Sequence, residues 1–455
     1  MAVEKDIIVA LELATTAIRA IAGQRLPDGS MQVLAYSEEN ASNCIRKGVI
    51  DNIDKTTQAI GRVLAQLEFH LCHKIARVFV GISGQSLRSV QNSIKRQFNE
   101  KTQVTNDLID QLMDTNSGVV YTDSRILEVV PQEFVVGSRA VPEIVGMQVE
   151  QFDAKFLNII ARSSLSENIE KCVNGAGYEV AEILITPISL ANSILNASEK
   201  RSGCALVDIG ADTTSVSVYS NNILRKLIVL PIGSHNATRD VASYLNCEIE
   251  EAEALKLKFG SAWVKDTETA KNNIITISLG RSHSESDICS CVEARYDEIL
   301  LNVLEQLKGH ADKLTSGIVF AGGGSQIRSL TDAFQHISKS DKQIRVVKSL
   351  PQDVCVDKGV SFPLNGQTNS VVALLLCGDQ NCVILSKPAE TPVEPAETAN
   401  GTAVDPVTEP VAAAVEEPTN QGDDVVVTDN AAKKKWWQKM VKMLTEDEDR
   451  DDAEE

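Results

Sequence analysis

The sequence predicts an α/β fold of two duplicated halves around a ligand cleft, followed by a tail of different material. Three observations predict it. The run IIVALELATTAIRAIAG reads as a strand with an acid near its end, a tight turn with threonines and a second strand, and GCALVDIGADTTSVSVYSNNIL repeats that plan in the other half. A third run, GIVFAGGGSQIRSL at 317–330, is a short apolar strand broken by three glycines. The charge then changes character. Residues 1–386 hold 37 Lys and Arg against 45 Asp and Glu, a net of −8, whereas the last 69 residues hold 7 against 18, a net of −11.

In each hairpin, apolar residues lead to a carboxylate, Glu12 or Asp208, and the return strand alternates, as Ile18-Arg19-Ala20-Ile21 and Val216-Ser217-Val218 show. A turn of small residues and hydroxyls presents N–H groups to an anion, with the carboxylate placed to hold the water shell of a cation. Two such tips facing each other would clasp a metal-bound polyphosphate. The candidates are Glu12, Ala14, Thr15 and Thr16 in the first tip and Asp208, Gly210, Asp212 and Thr213 in the second, with Asp208 placed to hold a cation through water. In the third run, Gly322, Gly323 and Gly324 let a backbone approach a flat ligand, and Ser325 is available to cap the helix that follows. In EEAEALKLKFG, Glu253 and Lys256 share a helical face, either to contact a ribose or as an ordinary surface ion pair.

Composition excludes several classes. With 455 residues and 43% hydrophobic content the chain can bury more than one domain's core. No apolar run reaches the roughly 20 residues that span a bilayer, and MAVEKDIIVALEL has an acid and a base inside any would-be signal stretch, so a cytoplasmic location is expected. The ten cysteines form no CxxC pair, and His70-Leu71-Cys72-His73 has no matching second cluster for a metal. A net charge of −19 argues against nucleic acid.

From Lys387 to about Ala432 the chain is Pro, Glu, Ala, Thr and Val without an aromatic residue, the composition of an extended, self-repelling linker. Beyond it, at 100° per residue, Trp436, Trp437, Met440, Val441, Met443 and Leu444 fall in one apolar arc, with Lys435, Lys439 and Lys442 opposite. Indoles beside lysines suit the headgroup boundary of a membrane. The plainer alternative, a helix docked on the protein's own core, carries the entropic cost of closing a linker of roughly 45 residues. The acidic run EDEDRDDAEE repels anionic lipid, so one copy binds weakly and several together bind well, which points to self-association.

Together the hairpins and glycine run resemble the actin-like ATPase superfamily, in the order phosphate-1 hairpin, phosphate-2 hairpin and adenosine loop. Within it the chain is similar to the FtsA family of bacterial cell-division proteins. The likeness rests on RKGVIDNID (46–54), VFVGISGQSLRSVQNS (78–93), RILEVVPQEFVV (125–136), NIEKCVNGAGYEV (168–180), EARYDEILLNVLEQL (293–307) and the terminal helix. The resemblance implies a subdomain 1A at 1–82, continued at 161–200 and about 358–382, with an inserted subdomain 1C at 83–160. It implies subdomain 2A at 201–230 and 316–357, subdomain 2B at 231–315, a disordered linker at 383–431 and a membrane-targeting helix with acidic tail at 432–455. It also implies ATP and Mg²⁺ as ligands, and filaments of the protein on the inner face of the cell membrane at the division septum. The partners would be FtsZ, whose C-terminal peptide docks on 2B through residues matched by Arg295 and Glu298, and other divisome proteins.

Departures from the family pattern bear on the chemistry. The first hairpin usually reads Asp/Glu-Ile-Gly-Thr-x-Lys, but Glu12-Leu13-Ala14-Thr15-Thr16-Ala17 lacks both glycine and lysine. The second usually reads Asp-Ile-Gly-Gly-Gly-Thr, but Asp212 replaces a glycine. A small-residue Ala-x-Gly near the end reads Val371-Val372-Ala373. A carboxylate about 4 Å from a phosphate oxygen repels it by roughly 4 kcal/mol at an effective dielectric of 20; the alternatives are that Asp212 joins the water shell of the cation or caps its own turn, and that Arg19 supplies the missing charge. The expectation is therefore ATP binding with weak or no hydrolysis. Two other readings compete: an actin-like adaptor of another membrane machine, such as the pilus protein PilM, and a small-molecule kinase. PilM-type proteins lack the long linker and terminal helix, and no sugar-binding polar cluster or catalytic base is evident for a kinase.

Overall fold

The computed structural model describes residues 6–264, 273–277, 280–348, 353–363 and 366–384. The terminal helix and the linker from 385 onward lie outside the described residues.

All seven residues of Ile7–Leu13 are buried, as an IIVALEL run covered on both faces requires. This strand lies inside a six-stranded sheet in the order Glu179–Ile185, Arg77–Ile82, Ile7–Leu13, Ala17–Arg25, Met31–Asn40 and Val354–Val356. The first three are parallel, and the hairpin and its third strand run antiparallel. A second sheet begins with the same plan. Ile344–Val346, Ile318–Ala321 and Cys204–Ile209 are parallel, and Thr214–Ser220 and Ile223–Leu230 complete the antiparallel part. The repeat read from the two hairpins is thus a repeat of five-stranded units.

Helices cover both sheets. Ile53–Leu71 starts at Asn52, whose side chain accepts from the Lys55 N–H at 2.9 Å, and packs Ile60, Val63, Leu64 and Leu67 onto the first sheet. On its other side, Asn369–Cys377 buries Val371, Val372 and Ala373 against Thr186–Ile194, a helix that also touches the second hairpin. Ser234–Leu245, Glu285–Leu307 and Leu330–Ser338 cover the second sheet, with Phe320, Phe334 and Tyr296 fully buried among them. The long helix opens with a reciprocal cap, Ser284 and Asp287 each bonding the other's backbone at 3.1 and 3.2 Å.

The segment between Arg88 and Arg162 adds four strands, Arg88–Gln103, Gln148–Arg162, Ser124–Val136 and Arg139–Val141, to the edge of the second sheet. Its own core is built on Phe134, Phe152, Phe156, Ile109 and Leu112. Only Ile228 and Arg88 pair across the join, but polar bonds reinforce it. The Val229 N–H donates to the Leu87 carbonyl at 3.1 Å, the Leu227 N–H to Ser89 Oγ at 2.9 Å, and buried Gln132 Nε2 to the Leu224 carbonyl at 2.9 Å. Gln132 belongs to the RILEVVPQEF run, so that motif forms a fastening.

One local expectation is corrected. Ser325 caps no α-helix: the glycine run closes as a 3-10 turn over Gly323–Gln326, with Ser325 Oγ donating to the Gly322 carbonyl at 2.7 Å. The α-helix starts at Leu330, behind Ser329 in a left-handed conformation.

Candidate functional site

A cleft of about 1600 Å³ opens between the two hairpin tips. Glu12, Ala14, Thr15, Thr16, Asp208, Gly210, Asp212, Thr213, Glu253, Lys256, Gly322, Gly323 and Gly324 all line it. The first tip is closed by the Ala14 N–H donating to the Ala17 carbonyl at 3.1 Å. It rests on the turn in the RKGVIDNID run: the Gly48 N–H donates to Thr15 Oγ1 at 3.3 Å, and neighbouring Lys47 lines the cleft. Gly48 sits at φ +70° with the Ser83 carbonyl oxygen 2.1 Å from where a Cβ would stand, so no other residue fits.

The second tip is closed by the Gly210 N–H donating to the Thr213 carbonyl at 2.8 Å. Helix Ser234–Leu245 then docks on it, the Ser234 and His235 N–H groups donating to the Gly210 and Ala211 carbonyls at 3.0 and 2.7 Å. Two of the helix's free N-terminal donors are therefore used to hold the tip. The glycine run is fitted to the same tip. A Cβ on Gly322 would lie 2.3 Å from Asp208 Oδ1, and one on Gly324 would lie 2.6 Å from Ile209 Cγ2. The glycines are thus demanded by packing as well as by access.

Glu12 stands opposite Arg19 in the hairpin register, and their side chains pair at 3.1 Å in a buried setting. Burial pushes the Glu12 carboxyl up against the opposing pull of Arg19. Asp208, recessed in the cleft, is pushed up to about 7 by burial and then by the charge of Glu12. One carboxylate from each hairpin therefore converges on the cleft, with a single guanidinium committed to Glu12. A cation held there through its water shell would favour the ionised form of Asp208, which burial first and the charge of Glu12 second oppose.

Arg19 also lies 3.5 Å from Glu38, so its charge is committed to carboxylates and does not replace the lysine missing at Ala17. Nor is Asp212 the uncompensated carboxylate that the sequence suggested. It is buried and ion-paired with Arg239, in the second turn of the docked helix. His235, on the same helical face, is held below the usual histidine range by burial and by Arg239.

Glu253 and Lys256 are not an ordinary surface pair. Lys256 is buried, its Nζ 2.7 Å from Glu253 Oε2 and 2.9 Å from Thr238 Oγ1, and Thr238 bonds Glu253 in turn. Arg295 and Glu298 lie away from the cleft, beside a pocket of about 290 Å³ with Leu230, Pro231, Ile232, Asn236 and Asn302. Arg295 bonds Glu298 as its spacing allows, but its fork is mainly held by Asp240, at 2.6 and 3.1 Å. Trp436, Trp437, Met440, Val441, Leu444, Lys435 and Lys439 lie outside the described residues. Sequence reasoning missed Arg239, His235 and Lys47 as cleft residues. The only signal for Arg239 was its four-residue spacing from His235 on a helix directly after the second hairpin.

Comparison with known proteins bears on most of the chain. The family model described as "Cell division protein FtsA" matches residues 205–363, and the "SHS2 domain inserted in FTSA" matches residues 84–160. "Cell division protein FtsA" of Porphyromonas gingivalis is 32% identical over 365 residues, covering 78% of this chain and 75% of the relative. The protein of the same name from Pseudomonas aeruginosa is 30% identical over 337 residues, covering 72% and 80%. Among solved structures, the "PilM-PilN type IV pilus biogenesis complex" superposes with a TM-score of 0.58 at 15% identity, covering 81% of this chain and 97% of that one, a likeness of fold alone.

Proposed function

The chain belongs to the FtsA family of bacterial cell division proteins and has the actin-like ATPase fold, and from that premise we propose that it binds Mg²⁺-ATP between its halves, polymerises on the cytoplasmic membrane and tethers FtsZ there. The observation that carries the nucleotide reading is the convergence of Glu12 and Asp208, one from each hairpin, on a single cleft that also receives the glycine run. Asp208, with Glu12 behind it, would hold the water shell of Mg²⁺, which supplies charge neutralisation for the polyphosphate. The small residues of both tips leave room for phosphate oxygens, and half-exposed Glu253, held by buried Lys256 and by Thr238, offers a carboxylate edge suited to a ribose. The nucleotide then acts as a bridge that fixes one half against the other, the condition for stacking copies into a filament.

No helix among the described residues is long and apolar enough to cross a membrane. The membrane reading rests instead on the amphipathic pattern of residues 433–444 and on avidity between copies. The PilM-like and kinase readings gain no support from the cleft. The test is co-sedimentation of the full chain with anionic liposomes, with and without ATP and the FtsZ C-terminal peptide. Trp436→Glu with Trp437→Glu should cut liposome binding by about tenfold or more while leaving the fold intact. A double variant that pellets like the parent would remove the tether, and a peptide that never joins the pellet would remove the FtsZ partner.

A further inference from the structure

Arg239 is placed unlike Arg19 and Lys256, the two cations buried in ion pairs beside the tips. Arg19 is buried against Glu12 and Glu38, and Lys256 is buried against Glu253 and Thr238. Arg239 lines the same cleft with its side chain 45% exposed, and Asp212, only 6% exposed at the side chain, holds it from the second tip. The helix that carries it is pinned to that tip by the Ser234 and His235 N–H groups, so backbone and side chain are fixed to one element. Nη2 of the guanidinium is used on Asp212 Oδ1, and no bond is recorded for Nε or Nη1 among the described residues. A planar fork with one arm anchored and donors to spare suits a phosphate oxyanion.

We propose that Arg239, positioned by Asp212, is the cation that reads the terminal phosphate of a nucleoside triphosphate in this cleft, in place of the lysine that the first hairpin lacks at Ala17. The inference rests on the nucleotide reading above. It accounts for two departures together: a carboxylate enters the second tip because it holds an arginine, and the arginine makes up the positive charge missing from the first. Its ligand class is the triphosphate as distinct from the diphosphate or monophosphate, so its signature is selectivity.

The test is calorimetric titration of the full chain, in Mg²⁺, with ATP, ADP and AMP. Arg239→Gln should weaken ATP by about tenfold or more and leave AMP within about twofold of the parent, and Arg239→Lys should recover part of the ATP affinity. Because Arg239→Gln leaves Asp212 buried without its partner, the same titration is made with Arg239→Gln combined with Asp212→Asn, which keeps the site neutral and should show the same selective loss. Equal losses for ATP and AMP, or ATP binding unchanged in the double variant, would overturn the assignment while leaving nucleotide binding in place. A parent chain that takes up none of the three nucleotides would overturn the nucleotide reading and this inference with it.

Discussion

Glu12 and Arg19 face each other across the first hairpin with their side chains 11% and 8% exposed, so each is the other's principal counter-charge in a site with little water. Removing one partner of such a pair strands the other. Arg19→Met should therefore destabilise the protein by about 3 kcal/mol, because the remaining carboxylate stays buried beside Asp208. Urea unfolding of parent and variant measures this. A difference below about 0.5 kcal/mol would mean that water reaches Glu12 far more freely than its burial indicates.

Asp208 gives the ligand-free protein a pH dependence of definite sign. Its carboxyl is raised to about 7 in the folded protein from an ordinary value of 3.8, so the folded state holds a proton that the unfolded chain has released. That contribution is fully present below the unfolded value and is lost as pH rises through the folded one. Between about pH 6 and about pH 8 the melting temperature of the parent should fall more than that of Asp208→Asn, by about 2 to 4 °C. Thermal melts without nucleotide test this, and parallel curves for the two proteins would remove Asp208 as the cause. In the parent, Mg²⁺ with ATP should restore the loss at the alkaline end, since a cation beside the carboxylate favours its ionised form.

The inserted segment offers a mechanical prediction. Arg225, on the last strand of the second hairpin unit, bonds Glu133 at 2.8 Å and Gln132 at 3.3 Å in the insertion, and its side chain is only 12% exposed. Arg225→Ala should lower stability by about 1 to 2 kcal/mol and speed amide exchange across residues 124–136. Exchange unchanged in that segment would show that backbone pairing at Arg88 and the Gln132 bond to Leu224 suffice to hold the insertion.

What was legible in the sequence followed local chemistry. The hairpins could be read because an apolar run, a carboxylate and a small-residue turn lie within a dozen or so neighbouring residues, and the glycine run because a strand led into it. What stayed hidden depends on contacts between segments far apart in the chain. Asp212 is a lone acid until helix Ser234–Leu245 docks on its tip and brings Arg239 to it. Lys47 belongs to a run that carried the family likeness, but nothing local puts it in the cleft until Gly48 closes against Ser83 and Thr15. Ser325 matched a cap by type and position, but three preceding glycines allowed a tighter turn in which its hydroxyl satisfies Gly322 instead. Nothing in RILEVVPQEF says that Gln132 will reach Leu224, 92 residues later.

The partner surface yields the last prediction. Arg295 and Glu298 share a helical face, but Asp240 on the neighbouring helix holds the Arg295 guanidinium by two bonds, so Arg295 is a brace between helices as well as a surface group. Arg295→Glu would place a third carboxylate beside Asp240 and Glu298 and disturb that brace, which confounds loss of a contact with loss of local order. Glu298, with its side chain 51% exposed at the rim of the pocket formed with Leu230, Pro231 and Asn302, is the cleaner probe. Glu298→Lys reverses a rim charge while leaving the Asp240 bonds in place, so it should lower affinity for the FtsZ C-terminal peptide by about fivefold without changing liposome binding or the melting temperature. Arg295→Ala should lower both peptide affinity and the melting temperature. Fluorescence anisotropy of a labelled peptide decides the matter: equal affinity for the parent and Glu298→Lys would leave the Arg295–Glu298 pair as a local ion pair with no part in docking.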